Sequence, residues 1–180
     1  MMFFMRVKRH IDRLNEFVGR LVSWGAVIMV LMVTFDVVLR YCFKRSFIAD
    51  QEIEWTLFSA MFLLGAGYTL KRDSHVRVDV IYHRLGKRAK ALINLIGTVI
   101  FLLPGCYMVI KTTIPFVRAS WAIHEGSPDP GGLPFYYLIK VMIPVGFILL
   151  GLQAISFFLD NLVIFLDLKE VKQKGRTHES

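Results

Sequence analysis

The chain has 180 residues, 55% of them hydrophobic and 20% charged, with 15 Phe, a composition that excludes an ordinary soluble domain and points to a bilayer. Its 22 basic and 14 acidic side chains leave a formal charge of +8, which could serve nucleic acid, anionic headgroups or membrane topology until the charges are placed. The two cysteines, Cys42 and Cys106, lie in no CxxC or Cys/His cluster, which argues against a disulfide framework and a zinc site.

In residues 1–20, Phe4, Val7, Ile11, Leu14 and Val18 recur at helical spacing while Arg6, Lys8, Arg9, Asp12, Arg13 and Glu16 fill the other face. This pattern predicts an amphipathic interfacial helix whose apolar stripe meets membrane lipids first and a partner subunit second. Charges placed in this stripe, as in Ile11→Asp with Leu14→Asp, are expected to weaken membrane seating or assembly, and substitutions on the polar face to be milder. A spanning helix needs about 20 mainly apolar residues to cross roughly 30 Å of hydrocarbon. Four such runs follow, at about 21–39, 53–70, 91–110 and 141–159. No small-x-small cleavage site follows the first, so it is expected to be retained rather than removed as a signal peptide. Asp50 suits the N-cap of the second span, and Pro104 in the third is expected to kink it. Between spans two and three, Val78, Ile81, Tyr82 and Leu85 form a shorter stripe, predicting a second short interfacial helix. The segment from Gly126 to Gly132 is turn-rich, and Phe135-Tyr136-Tyr137 marks the return to the membrane. The predicted fold is thus an all-α integral membrane protein with four transmembrane helices in residues 21–166 and a polar tail in 167–180.

Basic residues in short loops are retained on the cytoplasmic side. Arg6, Lys8, Arg9, Arg13 and Arg20 precede the first span, Lys71, Arg72, Arg77, Arg84, Lys87, Arg88 and Lys90 separate the second from the third, and Lys169, Lys172, Lys174 and Arg176 follow the fourth. The opposite loops hold fewer. Both termini are therefore expected to be cytoplasmic, and the basic excess is a topology signal with no nucleic-acid face left to explain.

Ionisable groups inside spans are functional hypotheses by default. Asp36 lies within the first run, four residues before Arg40, the favourable order for a helical ion pair. A structural pair is the preferred reading over a proton or cation site. Gln153, Thr98 and Asn94 stand singly, with Gln153 read as interhelical glue. His10, His75, His83, His124 and His178 all lie outside the spans, against a haem-binding bundle. Glu52 and Glu54 suit the positive end of the second helix without catalysis. No cofactor, metal or enzymatic motif is expected.

Asp36-Val-Val-Leu-Arg40-Tyr41, Glu52 with Glu54 opening span two, Gly65, and His75-Val76-Arg77-Val78-Asp79 after it carry a family resemblance. So do Gly132-Leu133-Pro134, Pro144 and Gly146. In this order they resemble the small membrane subunit, DctQ, of tripartite ATP-independent periplasmic (TRAP) transporters, over roughly residues 15–166. The resemblance implies a location in the bacterial inner membrane. It also implies two protein partners: a large membrane subunit that moves an organic anion, commonly a carboxylate, with sodium, and a periplasmic substrate-binding protein. The small subunit would brace the first and help dock the second, and the motif residues would be interface candidates. Two alternatives stand beside it, a stand-alone exporter using Asp36 and a membrane anchor for a redox enzyme.

Overall fold

The computed structural model describes residues 2–72 and 85–166, with side chains from residue 6 onward. Every regular element among them is helical. The first, α1 (Met2–Phe43), is a single rod of 42 residues. At 1.5 Å per residue it is about 63 Å long, about twice the hydrocarbon thickness of roughly 30 Å. The amphipathic segment and the first span are joined without a break at residue 20, because the stretch contains no proline and its glycines stand singly. The rod ends where Lys44 adopts a left-handed φ of 52°. There the Arg45 N–H reaches back to the Leu39 carbonyl at 3.3 Å, a closure that satisfies one of the last free carbonyls.

Helix α2 (Ile48–Lys71) begins earlier than the hydropathy suggests, with Phe47 at its N-cap and no side-chain capping bond. The reading of Asp50 as that cap is therefore corrected. Asp50 lies inside the first turn, where its charge still complements the exposed N–H groups. The third span is built of α3 (Lys87–Gly97), a π-helical turn over Thr98–Leu102, and α4 (Leu103–Ala122). Pro104 accounts for the π turn. Its nitrogen cannot donate and its ring crowds the preceding turn, so the helix widens just before it and then continues. The rod also runs through Pro115 to Ala122, past the expected end at residue 110. Helix α5 (Tyr136–Phe165) forms the last span. Four helical stretches, Arg6–Phe43, Ile48–Lys71, Lys87–Ala122 and Tyr136–Phe165, are long and apolar enough to cross a membrane.

The spans pack in a row rather than in a closed square. α1 lies on α2, α2 on α5, and α5 on the α3–α4 rod, while α1 reaches α5 over a smaller area. Among the described residues, neither α1 nor α2 packs comparably on the α3–α4 rod. Helix α5 is accordingly mostly apolar, and the polar residues it carries, among them Lys140, Gln153, Ser156 and Asn161, meet polar groups of the elements packed on it. It buries Pro144, Gly146, Leu149, Gln153, Ala154, Ser156 and Asn161. Gly146 is the closest backbone approach: a Cβ there would stand 2.7 Å from the Leu63 carbonyl oxygen of α2. The row keeps large apolar side chains uncovered, including Phe17, Trp24, Leu31 and Phe35 on α1 and Trp55 and Phe62 on α2. Phe101, Tyr107 and Met108 do the same on the α3–α4 rod.

Candidate functional site

Glu52, in the second turn of α2, holds the connection between α4 and α5. Its Oε2 accepts the Leu133 N–H at 2.5 Å, and its Oε1 accepts the Ser127 hydroxyl. Ser127 in turn accepts the Asp129 N–H at 3.1 Å, and its own N–H donates to the Leu133 carbonyl at 2.9 Å. The carboxylate thus replaces a missing strand or helix partner for an otherwise irregular loop. Gly132 is the residue that permits this, since a Cβ there would lie 2.7 Å from Glu52 Oε1 and 2.5 Å from Ser127 Oγ.

The far side of the same loop is tied by Glu125. It accepts from Lys140 Nζ at 2.5 Å and from Ser120 Oγ at 2.5 Å. The Lys140 ammonium and the Ser120 hydroxyl hold the Glu125 carboxyl below the usual carboxylate range, against a smaller opposing effect of burial. Lys140 also sits 4.3 Å from the centre of the Phe116 ring, a cation–π contact between α5 and α4. Trp121 and Tyr137 close the corner edge-to-face at 4.8 Å.

This geometry carries a prediction. Charge-assisted hydrogen bonds are worth about 1.5–3 kcal/mol, so Glu52→Ala is expected to speed amide exchange across 127–134 by roughly ten- to a hundredfold. Glu52→Gln, which keeps an acceptor, is expected to lie between Ala and wild type. Hydrogen-exchange mass spectrometry reads this directly, and unchanged exchange in the Ala variant would refute the clamp.

A second polar cluster joins α1, α2 and α5 at the opposite end of α2 from Glu52. Asp12 Oδ1 accepts from Gln153 Nε2 at 3.0 Å and Ser156 Oγ at 2.7 Å, and Asp12 Oδ2 lies 3.0 Å from Lys8 Nζ. Lys8 continues to Asp160 at 3.1 Å. Lys71 of α2 donates to the Asp12 carbonyl at 3.0 Å and pairs with Glu16, which also receives Arg20 at 2.6 Å. Asn15, buried beside them, donates to the Ile11 carbonyl at 3.3 Å and to the Leu149 carbonyl at 3.5 Å. Asp12 and Glu16, on the polar face of residues 1–20, thus face the other helices. Of the stripe, Ile11 is buried, Val18 is half-buried, and Val7 and Leu14 are exposed. The side chain of Phe4 lies outside the described residues. Gln153 therefore joins α5 to α1, and Asn94 Nδ2 donates to Asn161 Oδ1 at 2.8 Å across α3 and α5. The intramembrane amides read as single residues form interhelical ties once the fold brings them together.

Asp36 is buried on α1 and receives Arg40 Nη2 at 2.6 Å, while its Oδ1 has no partner among the described residues. Glu54 Oε1 is likewise buried without one. Gly65 faces Val22, with 3.8 Å of room for a Cβ, and Pro144 is buried a half-turn before Gly146. His75, Arg77 and Asp79 and the predicted short helix around Val78 and Ile81 lie outside the described residues. Among the described residues no group of three or more His, Cys, Asp or Glu side chains could hold a metal ion. The polar groups described above join helices and loops to one another.

Glu125, Ser127, Lys140, Asp12, Lys71, Ser156 and Asn161 were not singled out from sequence as site residues. One signal was available. Lys8, Asp12 and Asn15 recur at spacings of four and three on α1, and Gln153, Ser156 and Asp160 at spacings of three and four on α5, two polar stripes that match as helix faces.

Comparison with known proteins assigns the chain to a family. The sequence profile described as "Tripartite ATP-independent periplasmic transporters, DctQ component" matches residues 29–163. The chain is 25% identical over 169 residues to the C4-dicarboxylate TRAP transporter small permease protein DctQ of Vibrio cholerae serotype O1, covering 86% of this chain and 72% of that protein. It is 23% identical over 146 residues to the ectoine TRAP transporter small permease protein TeaB of Halomonas elongata, covering 79% and 72%. No solved structure matches the chain. These relatives are permease subunits and not enzymes, and the four apolar spans make the chain a multi-pass inner-membrane protein. The protein belongs to the DctQ family, the small permease component of tripartite ATP-independent periplasmic transporters.

Proposed function

We propose that the chain braces the large membrane subunit of a TRAP transporter and helps seat the periplasmic substrate-binding protein, for sodium-coupled uptake of an organic anion. The observation that carries this reading is the open row of spans. Its polar side chains are largely committed to internal ties, while its outer helices leave large apolar side chains uncovered. A subunit that binds substrate at the bilayer midplane needs convergent polar ligands there. A brace needs rigid helices and apolar faces. The relatives' names cite different substrates, C4-dicarboxylate and ectoine, which suits a subunit that does not select the cargo. In this reading the Asp36–Arg40 pair steadies the first span, and the Glu52-held loop presents a fixed surface towards the binding protein.

Deleting the chain is expected to abolish uptake into proteoliposomes while leaving substrate affinity of the isolated binding protein unchanged. An assembled complex with dead transport and altered cation dependence after Asp36→Asn would instead favour a carrier role for Asp36. The distribution of basic residues supports cytoplasmic termini. With Cys42 and Cys106 removed, a membrane-impermeant thiol reagent should label a cysteine at Ser127 and miss one at Ser74, and the reverse would invert the orientation.

A further inference from the structure

A cleft of about 430 Å³ opens between α1 and α2, lined by Lys8, Arg9, Asp12, Arg13 and Lys71. Four of its five lining residues are cationic, and they are not equivalent. Lys8 is held by Asp12 and Asp160, and Lys71 by Glu16 and the Asp12 carbonyl. Asp12 is taken up by Gln153, Ser156 and Lys8. Arg9 and Arg13 are exposed and make no ion pair or hydrogen bond among the described residues. They stand four apart on one face of α1, where like charges repel unless something bridges them. Their two planar guanidinium forks suit a phosphate group, which can accept bidentate hydrogen bonds from each.

The surroundings select the source of that phosphate. With 3.6 residues per turn, Arg9 and Arg13 fall between the docked edge of α1, marked by Asp12 and Glu16, and a ridge of exposed apolar side chains, Leu14, Phe17 and Leu21. An anion bound by the arginines would thus have an apolar track beside it, running towards the membrane-spanning part of the same helix. We propose that this cleft binds the phosphodiester headgroup of an anionic phospholipid, with the acyl chains laid along Leu14, Phe17 and Leu21. The inference is independent of which partner the protein braces and of which substrate is moved.

The test uses the full chain in detergent, with lipid retention read by native mass spectrometry after addition of phosphatidylglycerol or phosphatidylcholine. Phosphatidylglycerol should be retained roughly ten- to thirtyfold better, in line with two arginines at a membrane surface. Arg9→Ala with Arg13→Ala should remove that preference. Because neither side chain has a structural partner, circular dichroism of this variant should match wild type. Arg45→Ala with Arg118→Ala, an equal charge change outside the cleft, should preserve the preference. Equal retention of the two lipids would overturn the site, and so would equal loss in the Arg45/Arg118 variant. Displacement of phosphatidylglycerol by glycerol 3-phosphate at matched concentration would overturn the lipid assignment in favour of a soluble phosphate.

Discussion

Gly146→Leu is expected to unseat α5 from α2 and to cost the protein most of its cooperative unfolding. A Cβ at this position already meets the Leu63 carbonyl oxygen at 2.7 Å and its carbon at 2.9 Å, and backbone cannot rotate aside as a side chain can. Overpacking a well-filled interior typically costs about 1–3 kcal/mol, and a leucine forced against a neighbouring main chain belongs at or above the top of that range. The effect should be large because α5 is the helix on which both α2 and the α3–α4 rod rest. Thermal unfolding in detergent, followed by circular dichroism, should show a much lower midpoint for Gly146→Leu and an intermediate one for Gly146→Ala. Gly65→Ala should change little, since its nearest neighbour would be 3.8 Å away. Equal midpoints for the Gly65 and Gly146 variants would contradict the close crossing.

Asp12→Ala should be the most damaging charge removal in residues 1–20. It strips the shared acceptor from Gln153 and Ser156, both buried, and leaves Lys8 with Asp160 alone. Orphaning a buried donor costs about 1–3 kcal/mol, so a loss of roughly 2–4 kcal/mol is expected once two donors are affected. Arg13→Ala on the same helix should be nearly neutral for folding, because Arg13 is exposed and makes no such contact. A double-mutant cycle of Asp12→Ala with Gln153→Ala should give a total smaller than the sum, the signature of a direct contact. Additive losses would show that the two residues act separately.

The contrast between these two residues shows what the sequence could and could not convey. The four spans were legible because lipid imposes a length and an apolarity that nothing else in the chain imitates. Their ends were not: hydropathy reports the slab, whereas α4 and α5 continue beyond it, to Ala122 and from Tyr136. Periodicity showed that residues 1–20 are two-faced, yet it cannot say which face meets protein. The apolar stripe is expected to meet lipid first and a partner subunit second, and within the chain it is Asp12 and Glu16 of the polar face that meet the other helices, because at a membrane boundary apolar side chains have lipid available and paired polar groups gain more from one another. Glu52 and Gly132-Leu133-Pro134 were visible only as separate motif residues. Their mutual contact spans 81 positions along the chain, and no local pattern encodes it.

The order of the row differs from the order of synthesis. The first two spans are neighbours and can pair as a hairpin as soon as both are inserted. The third has its main neighbour in the fourth, which is made last. During biogenesis the α3–α4 rod must therefore wait unaccompanied in the bilayer, its Asn94 amide without the Asn161 oxygen that receives it in the finished protein. A chain interrupted before residue 136 would lack the helix on which both α2 and the α3–α4 rod pack. The last span, a helix of thirty residues, supplies the contacts that join the hairpin and the α3–α4 rod in the finished protein.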